Sequence, residues 1–439
     1  MQRREPDYVT VLSDGTVKQV NPFTGTEVWT VAGRANRPLG VTATPAAPLG
    51  PADHDHRCAF CPARYLETPP EKSRVVRSGD GWRTLYRTPA EELFATVAEF
   101  RRVPNLFEIL GFDYWHRNYG FELPARVRDR RDAYLATPAG RSHVLGVVAA
   151  KLRASGLDDA AIGGLPESER LALASGFFGG GHDLIVARRH FVDGAVDDSR
   201  LASSGTLTPE EHERFIAYTI ESARMAYDLN PHARYVAVFQ NWLKPAGASF
   251  DHLHKQLVTI DEHGAQHQAT LARLRANPNL FNEAGPNYAA RHGLIIAESD
   301  HAIAFAGYGH RFPTIEIYST AEASHPWAMG AAEMRGMSDM IHAMHAATGP
   351  GVPTNEEWHY RPIDVAEAMP WRVNLKWRVS TLAGFEGATS IYLNTVAPAT
   401  LRDRVVTALL GLRDRGLLAA GLAIGDEASG RPDPLRYRT

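Results

Sequence analysis

The sequence predicts an α+β protein built from two related halves. Two observations predict it. A strand-strand-helix-strand-strand grammar is written once in the first half of the chain and again in the second. The chain is also long enough for two or three domains with sizeable cores, at 439 residues, 44% hydrophobic and 22% charged. That composition excludes a disordered chain and a small disulfide-stapled scaffold.

From Gly15 to Ala32, Val17, Val20, Val28, Trp29 and Val31 alternate with polar residues around the turn formers Asn21-Pro22-Phe23-Thr24-Gly25, which reads as a β-hairpin. Pro38 to Pro51 is rich in Pro, Ala, Gly and Thr and reads as a loop that delivers the chain to His54, His56, Cys58 and Cys61. A strand-rich part follows from Arg74 to about Phe107. Between about 108 and 181 the pattern turns Arg/Asp-rich and Ala/Leu-rich, with helices expected at Gly140 to Leu152 and Glu167 to Ser175, so this part reads as a helical insertion. Gly179-Gly180-Gly181 lacks the Gly-Lys-Ser/Thr ending of a P-loop and reads as a flexible connector.

A strand is expected at Asp183 to Ala187, with His190 just past its end. Thr208-Pro209-Glu210-Glu211 forms a capping box with proline in the first turn, and Phe215, Ile216, Thr219, Ile220, Ala223 and Tyr227 recur at helical spacing behind it. Strands Tyr235 to Asn241 and His252 to Ile260 flank a Lys/Pro/Gly loop. The second half supplies strands around Leu294 to Glu298, Ala302 to Ala306 and Thr314 to Tyr318, a helix near Ala331 to Ala347, strands near Trp371 to Thr381 and Ser390 to Asn394, and a last helix at about Thr400 to Leu418. The expected division is 1–260 and 261–439.

Charge narrows the function classes. Fifty acidic against 47 basic side chains give a net of -3, so no basic surplus exists for a nucleic-acid backbone or an anionic membrane, and a small-molecule partner is expected. The opening MQRREPDYV has no apolar signal stretch, and Gly416 to Ile424 is too short to cross a bilayer, so the expected location is cytoplasmic.

Two constellations can carry chemistry. The two cysteines, Cys58 and Cys61, are spaced C-x-x-C, half of a tetrahedral zinc site. The other ligands must then be histidines, and 19 candidates leave the choice open; a redox dithiol and a pair of ordinary buried thiols are the rival readings. The second constellation is His252-Leu253-His254-Lys255-Gln256, where two-residue periodicity places His252, His254 and Gln256 in one polar row. Both histidines could bind one metal, one could bind metal while the other stays free as nucleophile or base, or the row could be a solvated face. A free, neutral imidazole can attack phosphorus, given donors for the non-bridging oxygens such as Gln256, Ser249 or the amides of Gly247 and Ala248. Arg34 and Arg37 offer permanent charge for phosphate.

These residues resemble the galactose-1-phosphate uridylyltransferase family of the histidine-triad superfamily. The resemblance rests on Asn21-Pro22-Phe23-Thr24-Gly25 through Arg34 and Arg37, on Cys58-Ala59-Phe60-Cys61, on Val103-Pro104-Asn105-Leu106-Phe107, on His190, and on Phe239-Gln240-Asn241 through Gly247 and Ser249 to His252-Leu253-His254-Lys255-Gln256. It implies two tandem histidine-triad-like domains, each a mainly antiparallel sheet with packed helices, and a structural zinc held by Cys58, Cys61, His190 and His252. It further implies His254 as the nucleophile, Gln256 as the partner of the transferring phosphoryl group, and Arg34, Arg37, Asn105, Asn241, Gly247 and Ser249 as the nucleotide and phosphate pocket. The implied substrates are a nucleotide sugar and a sugar phosphate, with transfer of a nucleoside monophosphate, UMP in the family. A homodimer is also suggested. Four positions depart from the family pattern. Leu253 replaces the proline of H-P-H, Gln240 replaces a glutamate, and Asn374 and Lys376 stand where iron-containing members have histidines, so an iron site in the second half is doubtful. Galactose is not assumed.

Overall fold

The computed structural model describes residues 7–32, 45–79 and 81–438. The strands are β1 (Val9–Val11), β2 (Val17–Val20), β3 (Glu27–Thr30), β4 (Ser73–Ser78), β5 (Gly81–Tyr86), β6 (Phe100–Pro104), β7 (His182–Ala187) and β8 (Tyr235–Trp242). There follow β9 (His254–Ile260), β10 (Ile295–Glu298), β11 (Ala302–Ala306), β12 (Thr314–Ser319), β13 (Thr354–His359), β14 (Arg372–Trp377), β15 (Ile391–Asn394) and β16 (Ala423–Ile424).

Twelve strands form one sheet in the order β16-β10-β11-β12-β14-β13-β8-β9-β7-β6-β4-β5. Every pairing in it is antiparallel. Outward from the β8–β13 pair, β8-β9-β7-β6-β4 on one side answers β13-β14-β12-β11-β10 on the other. Each side inserts one long helix at the same point: Pro209–Leu229 lies between β7 and β8, and Ala331–Thr348 between β12 and β13. The mixed α+β class expected from the sequence is the class observed. The predicted hairpin is β2–β3, and β15 joins it in parallel to make a second, four-stranded sheet with β1.

The capping box at Thr208 forms as its residue types dictate, with Glu211 N–H donating to Thr208 Oγ1 at 3.2 Å and Thr208 N–H donating to Glu211 Oε2 at 2.9 Å. The helix it starts buries Phe215, Ile216, Ile220 and Ala223 in one core with Met337, Met340, Ile341 and Met344 of the second helix. These helices cover one face of the sheet. Lys255, pointing to that face from β9, reaches past Gln240 of β8 to Glu356 of β13: its ammonium lies 2.6 Å from both Glu356 oxygens and 3.2 Å from Gln240 Oε1. His345 Nε2 completes the group at 2.7 Å from Glu356 Oε2. Burial raises the carboxyl of Glu356, but Lys255 and His345 outweigh it and hold the group far below the usual range.

Helices at Phe112–Tyr119, Ala125–Ala136, Pro138–Ala154, Asp159–Gly164, Glu167–Ala172 and Ser175–Gly179 fill the predicted insertion. They have a small core of their own around Tyr134, Val144, Val147, Val148, Phe177 and Phe178. Gly179-Gly180-Gly181 is not the flexible connector expected. A Cβ on Gly179 would stand 2.0 Å from Leu123 Cδ2 and one on Gly180 2.0 Å from Glu108 Oε1, so the glycines permit close packing. Strand β13 and the helix Ala265–Ala276 are absent from the sequence reading. Among the described residues no helix is long and apolar enough to cross a membrane.

Candidate functional site

Strands β7 and β9 are neighbours, with Val186 paired to His254, so the chain leaving β7 and the chain entering β9 meet. This brings His190 and His252 to Cys58 and Cys61, whose C-x-x-C turn is closed by the Cys58 N–H donating to Cys61 Sγ at 3.4 Å. His252 Nε2 donates to the Ala187 carbonyl at 2.7 Å, which leaves Nδ1 as a lone pair facing the sulfurs.

The four ligand atoms form a compact cluster. Sulfur to sulfur is 3.8 Å, nitrogen to nitrogen 3.2 Å, and the sulfur–nitrogen separations run from 3.4 to 3.8 Å. Zinc bond lengths of about 2.3 Å to sulfur and about 2.0 Å to nitrogen give tetrahedral edges of about 3.8, 3.3 and 3.5 Å for those three kinds of pair. The donor set therefore fits a tetrahedral dication. The hydrogen bond between the thiols lowers Cys61 against the effect of burial and, together with burial, raises Cys58; a metal ion would hold both as thiolates. His54 and His56 lie in the short helix Asp53–His56, outside the cluster.

His252 precedes the β9 ladder, whereas His254 and Gln256 belong to it. The rings of His252 and His254 both flank Phe60, with centroids 5.9 and 5.3 Å away. His254 Nδ1 donates to the His252 carbonyl at 2.7 Å, so the unprotonated nitrogen is Nε2. Burial lowers its pKa to about 4, which keeps the imidazole neutral at pH 7.

Gln256 reveals a residue that the sequence reading passed over. His182, at the start of β7, accepts the Ile109 N–H on Nδ1 at 3.2 Å and donates from Nε2 to Gln256 Oε1 at 3.0 Å. The carboxamide oxygen of Gln256 is thereby occupied and its NH2 is the end left for a ligand. The Asn105 side-chain amide approaches the same His182 nitrogen at 3.0 Å. His182 is diagonal to Gln256 across the β7–β9 ladder, a relation visible only once the strand pairing is known.

Asn241 is the penultimate residue of β8 and its Oδ1 accepts from Asn355 Nδ2 at 2.7 Å. Gly247, at φ 89°, takes the left-handed turn that glycine adopts without strain, and Ser249 is exposed on the same loop. Arg34 and Arg37 lie outside the described residues. In the second half, Lys376 Nζ lies 2.6 Å from Glu357 Oε2 and Asn374 Nδ2 lies 3.4 Å from His359 Nε2. An ammonium and an amide are a poor donor set for iron, and Lys376 already supplies the positive charge beside Glu357.

The shared sheet, the four-ligand cluster and the neutral imidazole beside it define the class. The fold is that of the galactose-1-phosphate uridylyltransferase-like proteins, in agreement with the sequence resemblance. Two solved structures from Arabidopsis thaliana share it: an ADP-glucose phosphorylase with bound ADP-glucose, at TM-score 0.55 and 18% identity over 89% of this chain and 97% of that one, and a galactose-1-phosphate uridylyltransferase-like protein, at TM-score 0.53 and 17% identity over 89% and 98%. The chain belongs to the family described as Domain of unknown function (DUF4921), which matches residues 12–437. By sequence, 176 residues are 27% identical to an ADP-glucose phosphorylase of Arabidopsis thaliana, covering 37% of this chain and 49% of that protein. The matched part thus spans about half the length of that relative.

Proposed function

We propose that this protein is a nucleotidyltransferase acting on nucleotide sugars through a covalent nucleotidyl-histidine at His254. The observation that carries the reading is the tautomer of that ring: Nδ1 is committed to a backbone carbonyl and a neutral Nε2 is left as a nucleophile. In the first half-reaction Nε2 attacks the inner phosphorus of the nucleotide sugar, a P–N bond forms and the P–O bond to the sugar phosphate breaks. In the second, an acceptor oxygen attacks the same phosphorus and the P–N bond breaks, restoring the imidazole. Two in-line displacements give net retention. Gln256 hydrogen-bonds a non-bridging oxygen, and Arg34, Arg37, Asn105, Asn241, Gly247 and Ser249 line the nucleotide pocket. A zinc ion held by Cys58, Cys61, His190 and His252 fixes the loop before His254 and takes no part in the displacement.

The acceptor in the leading reading is a sugar 1-phosphate, with UMP transferred. Similarity to an ADP-glucose phosphorylase supports a second reading, in which orthophosphate discharges the same intermediate. The test is incubation with nucleotide sugars labelled in the inner phosphate. The expected result is label on the wild-type protein, discharged by orthophosphate or by a sugar 1-phosphate, and no label on His254→Ala with its metal content intact. Equal labelling of His254→Ala, or loss of its metal, overturns the reading.

A further inference from the structure

On the sheet face that carries His254, a cavity of about 700 Å³ opens over β8, β13 and β14. Arg311, Arg372, Lys376 and Arg378 line it. Of these cations only Lys376 makes a salt bridge among the described residues, to Glu357 at 2.6 Å. The guanidinium of Arg372 lies 5.1 Å from the Phe23 ring centroid, that of Arg378 4.5 Å from Phe312, and that of Arg311 4.5 Å from Tyr392. Aromatic faces hold these cations in place; Arg372 also feels the buried carboxylate of Glu316, whereas Arg311 and Arg378 have no carboxylate partner among the described residues.

Four lining residues also have a buried polar atom with no hydrogen-bond partner among the described residues: Nε of Arg372, Nε of Arg378, Oδ1 of Asn374 and Nε2 of His267. Arg372 is 7% exposed and Asn374 4%, so water has little access to their side chains. Buried donors and acceptors without partners are rare in folded proteins, and several around one cavity mark a place where polar groups of a ligand, or the water it displaces, complete the hydrogen bonding.

We propose that this cavity binds a phosphate-bearing small molecule, either a sugar phosphate or orthophosphate. The guanidinium of Arg311, and the part of the Arg378 fork not committed to Asn355 Oδ1 at 2.6 Å, match phosphate oxygens, and Nδ2 of Asn241 and Oδ1 of Asn374 match the hydroxyls of a sugar ring. The cavity shares Asn241 with the loop before β9 but, among the described residues, is not lined by His254 or Gln256. Binding there is independent of chemistry at His254.

The test is calorimetric titration of full-length His254→Ala protein, in which turnover is silenced, with orthophosphate, glucose 1-phosphate and glucose. Both phosphate-bearing probes are expected to bind and glucose is not. Tighter binding of glucose 1-phosphate assigns the cavity to a sugar phosphate; equal or tighter binding of orthophosphate assigns it to the free anion. Arg378→Gln and Arg311→Gln, each added to that protein, are expected to raise Kd by roughly tenfold or more through loss of a charged fork, with the unfolding temperature unchanged. Arg311 is exposed at the rim, so its substitution reads binding even where Arg378→Gln fails to fold. Absence of binding by either phosphate compound, or a Kd that Arg311→Gln leaves unchanged, overturns the proposal.

Discussion

Gln256 has two chemically different ends, and which one meets a ligand is decided by His182. Because His182 Nε2 occupies the carboxamide oxygen, the donor end faces the site. Removing an oriented donor from a developing oxyanion lowers kcat by about 10²- to 10³-fold, and this is the loss expected for Gln256→Ala. His182→Ala should lower kcat by a smaller factor, roughly 10-fold, with KM little changed, because the amide is then free to turn. His182→Gln, which can still donate to Gln256, should recover most of the rate; steady-state kcat and KM, with metal content as the control, separate this positioning role from general damage. At this scale the sequence was readable where chemistry and spacing coincide, as at Cys58/Cys61 and His252/His254. His190 was assigned through the family resemblance alone. His182 was invisible, because its meaning comes from a diagonal contact between strands more than 70 residues apart in sequence.

At the scale of elements, the two long helices bury histidines at their contact. His342 Nε2 donates to the Leu207 carbonyl at 2.7 Å, and His212 Nδ1 lies 2.8 Å from Ser338 Oγ. Burial lowers the pKa of His342 to about 4 from an ordinary 6.5, with His345 adding repulsion and Glu211 opposing it. Burial also lowers His212, whose surroundings include His342, Lys255, His345 and Glu356. The folded state favours the neutral rings, while unfolding frees them to take protons near pH 6.5. Their contribution is therefore complete above about pH 6.5 and is lost as pH falls toward 4. Urea-unfolding midpoints should fall across that window, and His342→Gln should flatten the fall. The helix beginning at Pro209 was legible because its cap and its periodicity agree. Strand β13 was not, since Thr-Asn-Glu-Glu-Trp-His carries no apolar alternation. Its Glu356 tolerates a central strand only because Lys255, from the distant β9, and His345, from the preceding helix, compensate its charge.

Distant segments of the first half converge on the four-ligand cluster, whose residues are 58, 61, 190 and 252. An ion bound there closes loops of more than 60 and 120 residues, so binding free energy becomes folding free energy. Prolonged treatment with a strong chelator should lower the unfolding temperature by more than about 5 °C, and Cys58→Ser should do the same without chelator; calorimetry with metal analysis checks both. The α+β class was evident from the repeated grammar of the chain. That the repeat fuses into a single sheet was not, because the fusion runs through β13.

The ladder between Thr354–Glu357 and Phe239–Trp242 has a consequence for any attempt to split the chain. A fragment ending at 260 would present a row of dangling amides and carbonyls along β8, and the remainder would present the matching row along β13. Such raw edges recruit whatever backbone is nearby, so each piece would self-associate into aggregates.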